Sequence, residues 1–179
     1  MKYKYKVFFI IVPLLIILDQ VTKLLIAKYI PVGGSVTIIP NFFDLVHTYN
    51  TGAAFGMFAQ VDSSFRVPFF YGISIFVGIA LIIYFIKMSD TDHLMIWTIS
   101  FIYGGMIGNL IDRIRLGHVL DFASAHIGDK VFSFTLFGKG FDIPLIWPAF
   151  NVADSAITAA IFMLLIGSFY YGSKGKGDA

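Results

Sequence analysis

The sequence predicts an all-α membrane protein with four transmembrane helices and a small extracytoplasmic β-structure, in one domain over residues 1–179. Hydrophobic residues make up 58% of the chain and charged residues 13%, whereas about a quarter of the residues in soluble domains are charged. Four apolar segments approach the roughly 20 residues that a helix needs to cross a hydrocarbon core. Two long connections between them contain residues typical of strands.

The four helices are predicted at about residues 7–27, 67–86, 94–111 and 150–171. The first segment does not resemble a cleaved signal peptide, because no small-x-small site follows it and polar residues interrupt its outer third. We therefore expect it to remain as a helix. Gly104 and Gly108 are four residues apart in the third segment, a spacing that lets helix backbones approach closely in lipid.

Lysine placement predicts the orientation in the membrane. The opening "MKYKYK", the short loop "KMSDTDH" and the tail "GSKGKGDA" are all short and carry lysine. Such segments stay on the cytoplasmic side, so both chain termini are expected there. The formal net charge of +2 and the lack of basic runs elsewhere give no indication of a nucleic-acid partner.

The two outer connections predict the β-structure. The first contains "GGSVTIIPNFFDLVHTYNTGAAFGMF", in which strand-forming residues flank a Pro-Asn turn signal. The second contains "VFSFTLFGKGFDI", whose pattern favours a hairpin. Because both carry many apolar side chains, we expect a platform that lies against the outer membrane surface.

Polar residues of three helices are predicted to share one depth in the membrane. Ionisable groups within a membrane cost about 2.5 to 3.5 kcal/mol each on insertion scales, so each needs a partner or a function. These residues are Asp19 and Lys23 in the first helix, Asn109, Asp112 and Arg113 in the third, and Asn151 and Asp154 in the fourth. The predicted topology places all of them toward the outer leaflet.

Asp121 and Asp154 are the candidate reactive groups. Asp121 follows the third helix between Leu120 and Phe122, and partial desolvation there raises the pKa of a carboxyl group. If Asp121 folds over the outer end of the fourth helix, the two carboxyls share a proton. Such a pair can take a proton from water and donate one to a peptide carbonyl, as aspartic proteases do.

Structural roles compete with this hypothesis at each position. In these structural roles, Asp121 is an ordinary acidic residue of a loop. Asp154 is an acidic residue whose negative charge is stabilised at a helix N-terminus. Asp19 and Lys23, four residues apart, form an ion pair that eases insertion. Arg113 extends toward lipid phosphates.

Other catalytic chemistry fits the sequence poorly. There is no cysteine and no H-E-x-x-H, G-x-S-x-G or phosphate-binding glycine motif. The four histidines lack the spacing of metal ligands, and we expect no cofactor and no metal. A pairing of Ser124 with Lys130 stays open, although neither lies on a predicted helix.

Four blocks of sequence carry a family resemblance. They are "DQVTK", "NTGAAFG", "GGMIGNLIDRIRLGHVLDF" and "FNVADSAI", and in this order they resemble the signature blocks of bacterial lipoprotein signal peptidase, or signal peptidase II. The resemblance implies a four-helix aspartyl endopeptidase of the bacterial cytoplasmic membrane. Its members cut the signal peptide from a prolipoprotein before a cysteine that carries diacylglycerol.

The resemblance also implies roles for individual residues. Asp121 and Asp154 match the catalytic aspartates, whereas Asn50, Asn109, Arg113, Asn151 and Asp19 match the polar residues around them. The implied site faces the extracytoplasmic side, its partners are the diacylglyceryl-modified prolipoprotein and membrane lipids, and we expect a monomer. The stretch 126–146 looks longer than is usual in the family, which leaves its role in substrate entry undetermined.

Two other classes of function are weighed against the peptidase. In a small ion-coupled transporter, Asp19, Asp121 and Asp154 would form a proton path. Transporters usually show internal repeats and polar sites near the midplane, and the sequence has neither. In an assembly subunit, the carboxylates would only anchor partner proteins.

Overall fold

The structure is a computed structural model that describes residues 1–52, 62–136 and 139–174. In chain order its elements are α1 (Tyr3–Tyr29), β1 (Ser35–Ile39), β2 (Phe43–Asn50), α2 (Ser63–Lys87), α3 (His93–Leu116), β3 (Val119–Leu136), β4 (Lys139–Ile146) and α4 (Val152–Lys174). Each predicted helix is found, with its ends moved by a few residues. The part of "NTGAAFG" at positions 53–56 lies outside the described residues.

Three helices of the described chain are long and apolar enough to cross a membrane: Tyr3–Tyr29, Pro68–Lys87 and His93–Leu116. A shorter apolar stretch, Val152–Ser168, lies within α4. Large apolar side chains of these helices, among them Phe9, Phe76 and Phe162, are well exposed. Because surfaces of this kind are stable in lipid rather than in water, the chain is a multi-pass membrane protein.

Helix α3 lies between α1 and α4, and glycines allow the close approach. A Cβ atom on Gly104 would lie 2.9 Å from the Leu15 side chain of α1, and one on Gly105 would overlap the Ala153 carbonyl of α4. The packing role predicted for Gly104 and Gly108 is confirmed, since Gly108 faces Asp19 of α1 in the same way. Small residues thus bring three backbones together at one level.

Lys4 and Asp90 link the N-terminal end of α1 to the C-terminal end of α2. The Lys4 ammonium donates to the carbonyl oxygens of Phe85, Ile86 and Met88 at 3.0, 2.9 and 2.8 Å. These carbonyls lie at the C-terminal end of α2, where backbone acceptors lack helical partners. Asp90 accepts from the first backbone N–H groups of α1, at Tyr3 and Lys4. Side chains from distant parts of the sequence therefore cap both helix ends.

The four strands form one antiparallel sheet in the order β1-β2-β3-β4. The strand pair predicted in the first connection is confirmed as β1 and β2, and the hairpin in the second as β3 and β4. Positions 137–138, between β3 and β4 in the sequence, lie outside the described residues. The predicted small β-structure is found as this sheet, in which β3 has 18 residues and also pairs with β2, which joins the two connections.

The start of β3 is fixed beside the start of α4. Gly117 ends α3 in the left-handed conformation, with φ of 78°, and turns the chain toward β3. The backbone N–H groups of Phe122 and Ala123 then donate to the Phe150 carbonyl at 3.0 and 2.8 Å. This bridge places Asp121 on a strand close to the N-terminus of α4, rather than on a free loop.

Gly105→Ala is expected to lower the melting temperature in detergent, because the added methyl group overlaps the Ala153 carbonyl. Overpacking of this kind costs about 1 to 3 kcal/mol. The matched control is Gly72→Ala in α2, where a Cβ atom meets nothing within 4 Å and alanine favours the helix. Equal melting temperatures for the two variants would contradict the proposed close contact.

Candidate active site

Asp154 lies in the first turn of α4 and forms a reciprocal cap with Asn151. Its backbone N–H donates to Asn151 Oδ1 at 2.9 Å, and its Oδ2 accepts from the Asn151 backbone N–H at 3.2 Å. This is the geometry of a capping box, in which two unpaired donors at a helix start are satisfied at once. The three-residue spacing of Asn151 and Asp154 indicates such a cap, but the cap was not predicted from the sequence.

The second oxygen of Asp154 binds α3. Asp154 Oδ1 accepts from Asn109 Nδ2 at 2.8 Å. The carboxyl group therefore bridges the start of α4 and the interior face of α3, and both of its oxygens have a fixed N–H donor.

Asp121 is 2% exposed and is held by two amides. Its Oδ1 accepts from Asn151 Nδ2 at 2.7 Å, and its Oδ2 accepts from Asn50 Nδ2 at 3.0 Å. Asn50 ends β2, and its own Oδ1 accepts from the Gly52 backbone N–H at 2.9 Å. The carboxyl is thus held between the sheet and the start of α4.

Asn151 connects the two aspartates. Its side-chain amide donates to Asp121, and its backbone N–H donates to Asp154. Asn151 is 1% exposed, so these contacts are shielded from bulk solvent. The structure therefore brings the two predicted carboxyls and Asn50, Asn109 and Asn151 into one cluster.

The environment of Asp121 raises the pKa of its carboxyl group. Burial, followed by the negative charge of Asp154, raises the pKa of Asp121 from 3.8 to about 7. The hydrogen bonds from Asn50 and Asn151 and the positive charge of Lys23 lower that pKa without cancelling the rise. A carboxyl group with this pKa can both accept and release a proton near neutral pH.

Arg113 and Asp19 lie at the edges of the cluster. The Arg113 guanidinium is 4.9 Å from the centre of the Phe70 ring, and its Nη2 is 3.4 Å from the Gly52 carbonyl oxygen. It therefore faces Gly52, two residues after Asn50. Asp19, which is 0% exposed, accepts from the Ala153 backbone N–H at 2.9 Å. It satisfies another unpaired donor at the start of α4.

A buried ionic network supports the cluster. Lys23 Nζ is 2.8 Å from Asp19 Oδ2, which confirms the predicted pairing within α1, and 2.8 Å from Asp112 Oδ2 of α3. Gln20 Nε2 donates to Asp19 Oδ2 and Asp112 Oδ1, at 3.1 and 3.0 Å. Sequence spacing indicated the pair inside one helix, but it gave no signal for Gln20 or for the contact between helices.

His126 and His47 contact groups outside this cluster. His126 Nε2 is 3.0 Å from Asp44 Oδ2 in the sheet, and His47 Nδ1 contacts the Ile30 carbonyl at 2.7 Å. Among residues 1–52, 62–136 and 139–174, no group of three or more potential metal-ligating side chains is found.

A helical membrane protein with an antiparallel sheet and two acids, Asp121 buried and Asp154 half-buried, at one helix end has features of a membrane enzyme. A family model described as signal peptidase (SPase) II matches residues 11–170. The chain belongs to the signal peptidase II family. Membership in a peptidase family makes it a protease.

Relatives and solved structures agree with this assignment. The chain is 36% identical to lipoprotein signal peptidase of Syntrophotalea carbinolica over 96% of each protein, and 36% identical to that of Staphylococcus carnosus, covering 90% of this chain and 89% of the relative. A bacterial membrane enzyme solved by the in meso method at 2.3 Å resolution is 31% identical, with a TM-score of 0.78 over 97% of this chain and 93% of that chain. The transporter alternative is not supported.

The raised pKa of Asp121 predicts a characteristic pH dependence of stability. Between pH 3.8 and about 7 the folded carboxyl retains a proton that the unfolded chain has released. The free energy of unfolding therefore falls as pH rises through this window and levels off above it. Asp121→Asn removes the titrating group, so melting temperatures measured across this range should decline less steeply than in wild type. Identical slopes would show that Asp121 titrates normally.

Proposed function

We propose that the chain is an aspartic endopeptidase that removes signal peptides from prolipoproteins, with Asp121 and Asp154 as its catalytic residues. It cleaves the bond before the cysteine that carries diacylglycerol. The observation that carries this proposal is the attachment of two carboxyl groups to one buried asparagine, with the pKa of Asp121 raised to about 7. The names of its relatives supply the substrate class.

The pair acts with one carboxyl protonated and the other ionised. The ionised carboxylate takes a proton from water, and the resulting hydroxide attacks the scissile carbonyl carbon. The protonated carboxyl donates its proton to the carbonyl oxygen, which gives a neutral tetrahedral intermediate. As the C–N bond breaks, a carboxyl gives a proton to the leaving nitrogen and the pair takes one back from the intermediate. The pair then returns to its starting state with a single shared proton.

The asparagines keep the carboxyls in place for this reaction. Asn109 and Asn151 hold Asp154, whereas Asn50 and Asn151 hold Asp121. The Asn50 amide nitrogen carries a second hydrogen in addition to the one used on Asp121. We assign this hydrogen to the scissile carbonyl, where it stabilises the oxygen as negative charge develops. Arg113, beside Gly52, shapes the same edge of the site.

The membrane places the substrate at this depth. We assign a fourth crossing to α4, both termini to the cytoplasm, and the site to the extracytoplasmic side of the bacterial cytoplasmic membrane, in a single domain. The short lysine-bearing segments at one end of the bundle, with Lys2, Lys4, Lys6 and Lys87, support this orientation. Exposed apolar helix faces can hold the acyl chains of the substrate, at about 0.8 kcal/mol for each buried methylene. The enzyme acts as a monomer on this assignment.

Asp121→Asn and Asp154→Asn are each expected to reduce cleavage of a diacylglyceryl-modified prolipoprotein by at least about a thousandfold, because neither variant keeps a shared proton. Cleavage is measured with purified protein and scored by the size of the product. Asp142→Asn is the matched control, since Asp142 lies on β4, is exposed and bonds Ser133. It should cleave normally.

Normal cleavage by both active-site variants would rule out this pair as the catalytic residues. The same precursor without its diacylglyceryl group provides a second comparison. Equal rates on the two precursors would contradict the assigned substrate while leaving the peptidase reaction in place.

A further inference from the structure

Lys23 makes a hydrogen bond to a neutral group in addition to its two ion pairs. Its side chain is buried, with the residue 4% exposed, and a buried ammonium group needs partners. Asp19 and Asp112 supply two carboxylates at 2.8 Å each. The third bond, at 3.1 Å, goes to the neutral Oδ1 of Asn109. That residue is the one that donates to Asp154.

This third bond determines the orientation of the Asn109 amide. Asn109 Oδ1 accepts from Lys23 and, at 3.2 Å, from Asn151 Nδ2. An amide turned by 180° would present N–H groups to these two donors and an oxygen to the Asp154 carboxylate, so all three contacts would become unfavourable. Lys23 therefore favours the orientation in which Asn109 donates to Asp154.

Lys23 also contributes a positive charge next to the aspartate pair. The ionisable groups within this region are Asp19 and Lys23 from α1, Asp112 and Arg113 from α3, Asp121 from β3 and Asp154 from α4. Arg115, which bonds Gln20, and His118, which lies in electrostatic range of Asp112, are at its edge. Four acids thus face two cations. Burial and Asp154 raise the pKa of Asp121, and Lys23 opposes them. Without the ammonium group, ionising either catalytic carboxyl would add negative charge to a region that already has an excess.

We propose that Lys23 is a positioning residue for the aspartate pair. It orients the Asn109 amide against Asp154, and its charge keeps one of the two carboxyls ionised near neutral pH. The inference rests on the proposed roles of Asp121 and Asp154. It assigns Lys23 no contact with substrate, so its effect on the reaction passes through Asn109 and through the local electric field.

Lys4 provides a matched comparison for a purely structural role. It is also a buried lysine of α1, 3% exposed, and it also makes three hydrogen bonds. Its acceptors are backbone carbonyls at the end of α2, and its position in α1 is 19 residues before Lys23. Loss of the Lys4 ammonium removes a helix cap, whereas loss of the Lys23 ammonium also changes the field at the catalytic pair.

The test is the dependence of kcat and KM on pH, measured with the full-length enzyme and a diacylglyceryl-modified prolipoprotein. Wild type should give a bell-shaped profile that belongs to the pair. In Lys23→Gln we expect the acid limb to move to higher pH by on the order of one unit, with kcat reduced and KM little changed. In Lys23→Arg, which keeps the charge, the acid limb should stay near its wild-type position.

Two further variants make the result independent of folding. Asp112→Asn removes a negative charge beside Lys23, so its acid limb should move to lower pH, opposite to that of Lys23→Gln. Lys4→Gln should lower the melting temperature without moving either limb. If Lys23→Gln does not fold, the direction of the shift in Asp112→Asn decides.

An acid limb that stays at its wild-type position in Lys23→Gln, or in Asp112→Asn where that variant decides, would overturn the inference and leave Lys23 with a structural role. The proposed catalytic pair is not affected by that result, because it depends on whether Asp121→Asn and Asp154→Asn lose cleavage. Failure of the positioning role and failure of the proposed function are therefore distinguished by different variants.

Discussion

The start of α4 has to be buried, and its unpaired backbone N–H groups must then find acceptors within the protein. Asn151 Oδ1 accepts from Asp154, and Asp19 Oδ1 accepts from Ala153, both at 2.9 Å. The side chains that satisfy this helix end are also members of the acidic cluster. The same side chains therefore cap α4 and form the site. Asn151 is held in place by its capping contacts with Asp154, and its side-chain amide also binds Asp121.

Close packing of α1, α3 and α4 also helps to place the side chains that cap α4. A Cβ atom on Gly108 would lie 2.8 Å from Asp19 Oδ2 and 3.2 Å from the Ala153 side chain. The glycine thus leaves the space through which the Asp19 carboxyl reaches the α4 backbone. A small-residue motif in a membrane helix is normally explained by association of helix backbones. In α3 it also admits a polar side chain from α1 to the interior.

The sequence was informative where the structure depends on local patterns. Apolar length identified the helices, alternation and turn residues identified both hairpins, and four-residue spacing identified the Asp19–Lys23 pair. Polar residues among apolar neighbours indicated Asp121, Asp154 and most of the other site residues, whereas Asn50 came only from the resemblance to a family. The contacts that assemble the site join distant positions, as in the pairing of Thr48 with Asp121 or the bond from Ala153 to Asp19. Periodicity carries no information about such contacts, because it reports only which face of an element is apolar.

The charges of the cluster explain why it is held so firmly. Burying a carboxyl group without full compensation destabilises its charged form, and burial is the main reason that the pKa of Asp121 is raised. If the network were relaxed, the two acids would separate or admit solvent, and the acidity of Asp121 would approach its ordinary value. Rigid caps, glycine contacts and a buried lysine prevent this relaxation, since each restrains a different neighbour of the pair. The buried charges are therefore compensated by hydrogen bonds and ion pairs from α1, α3 and α4.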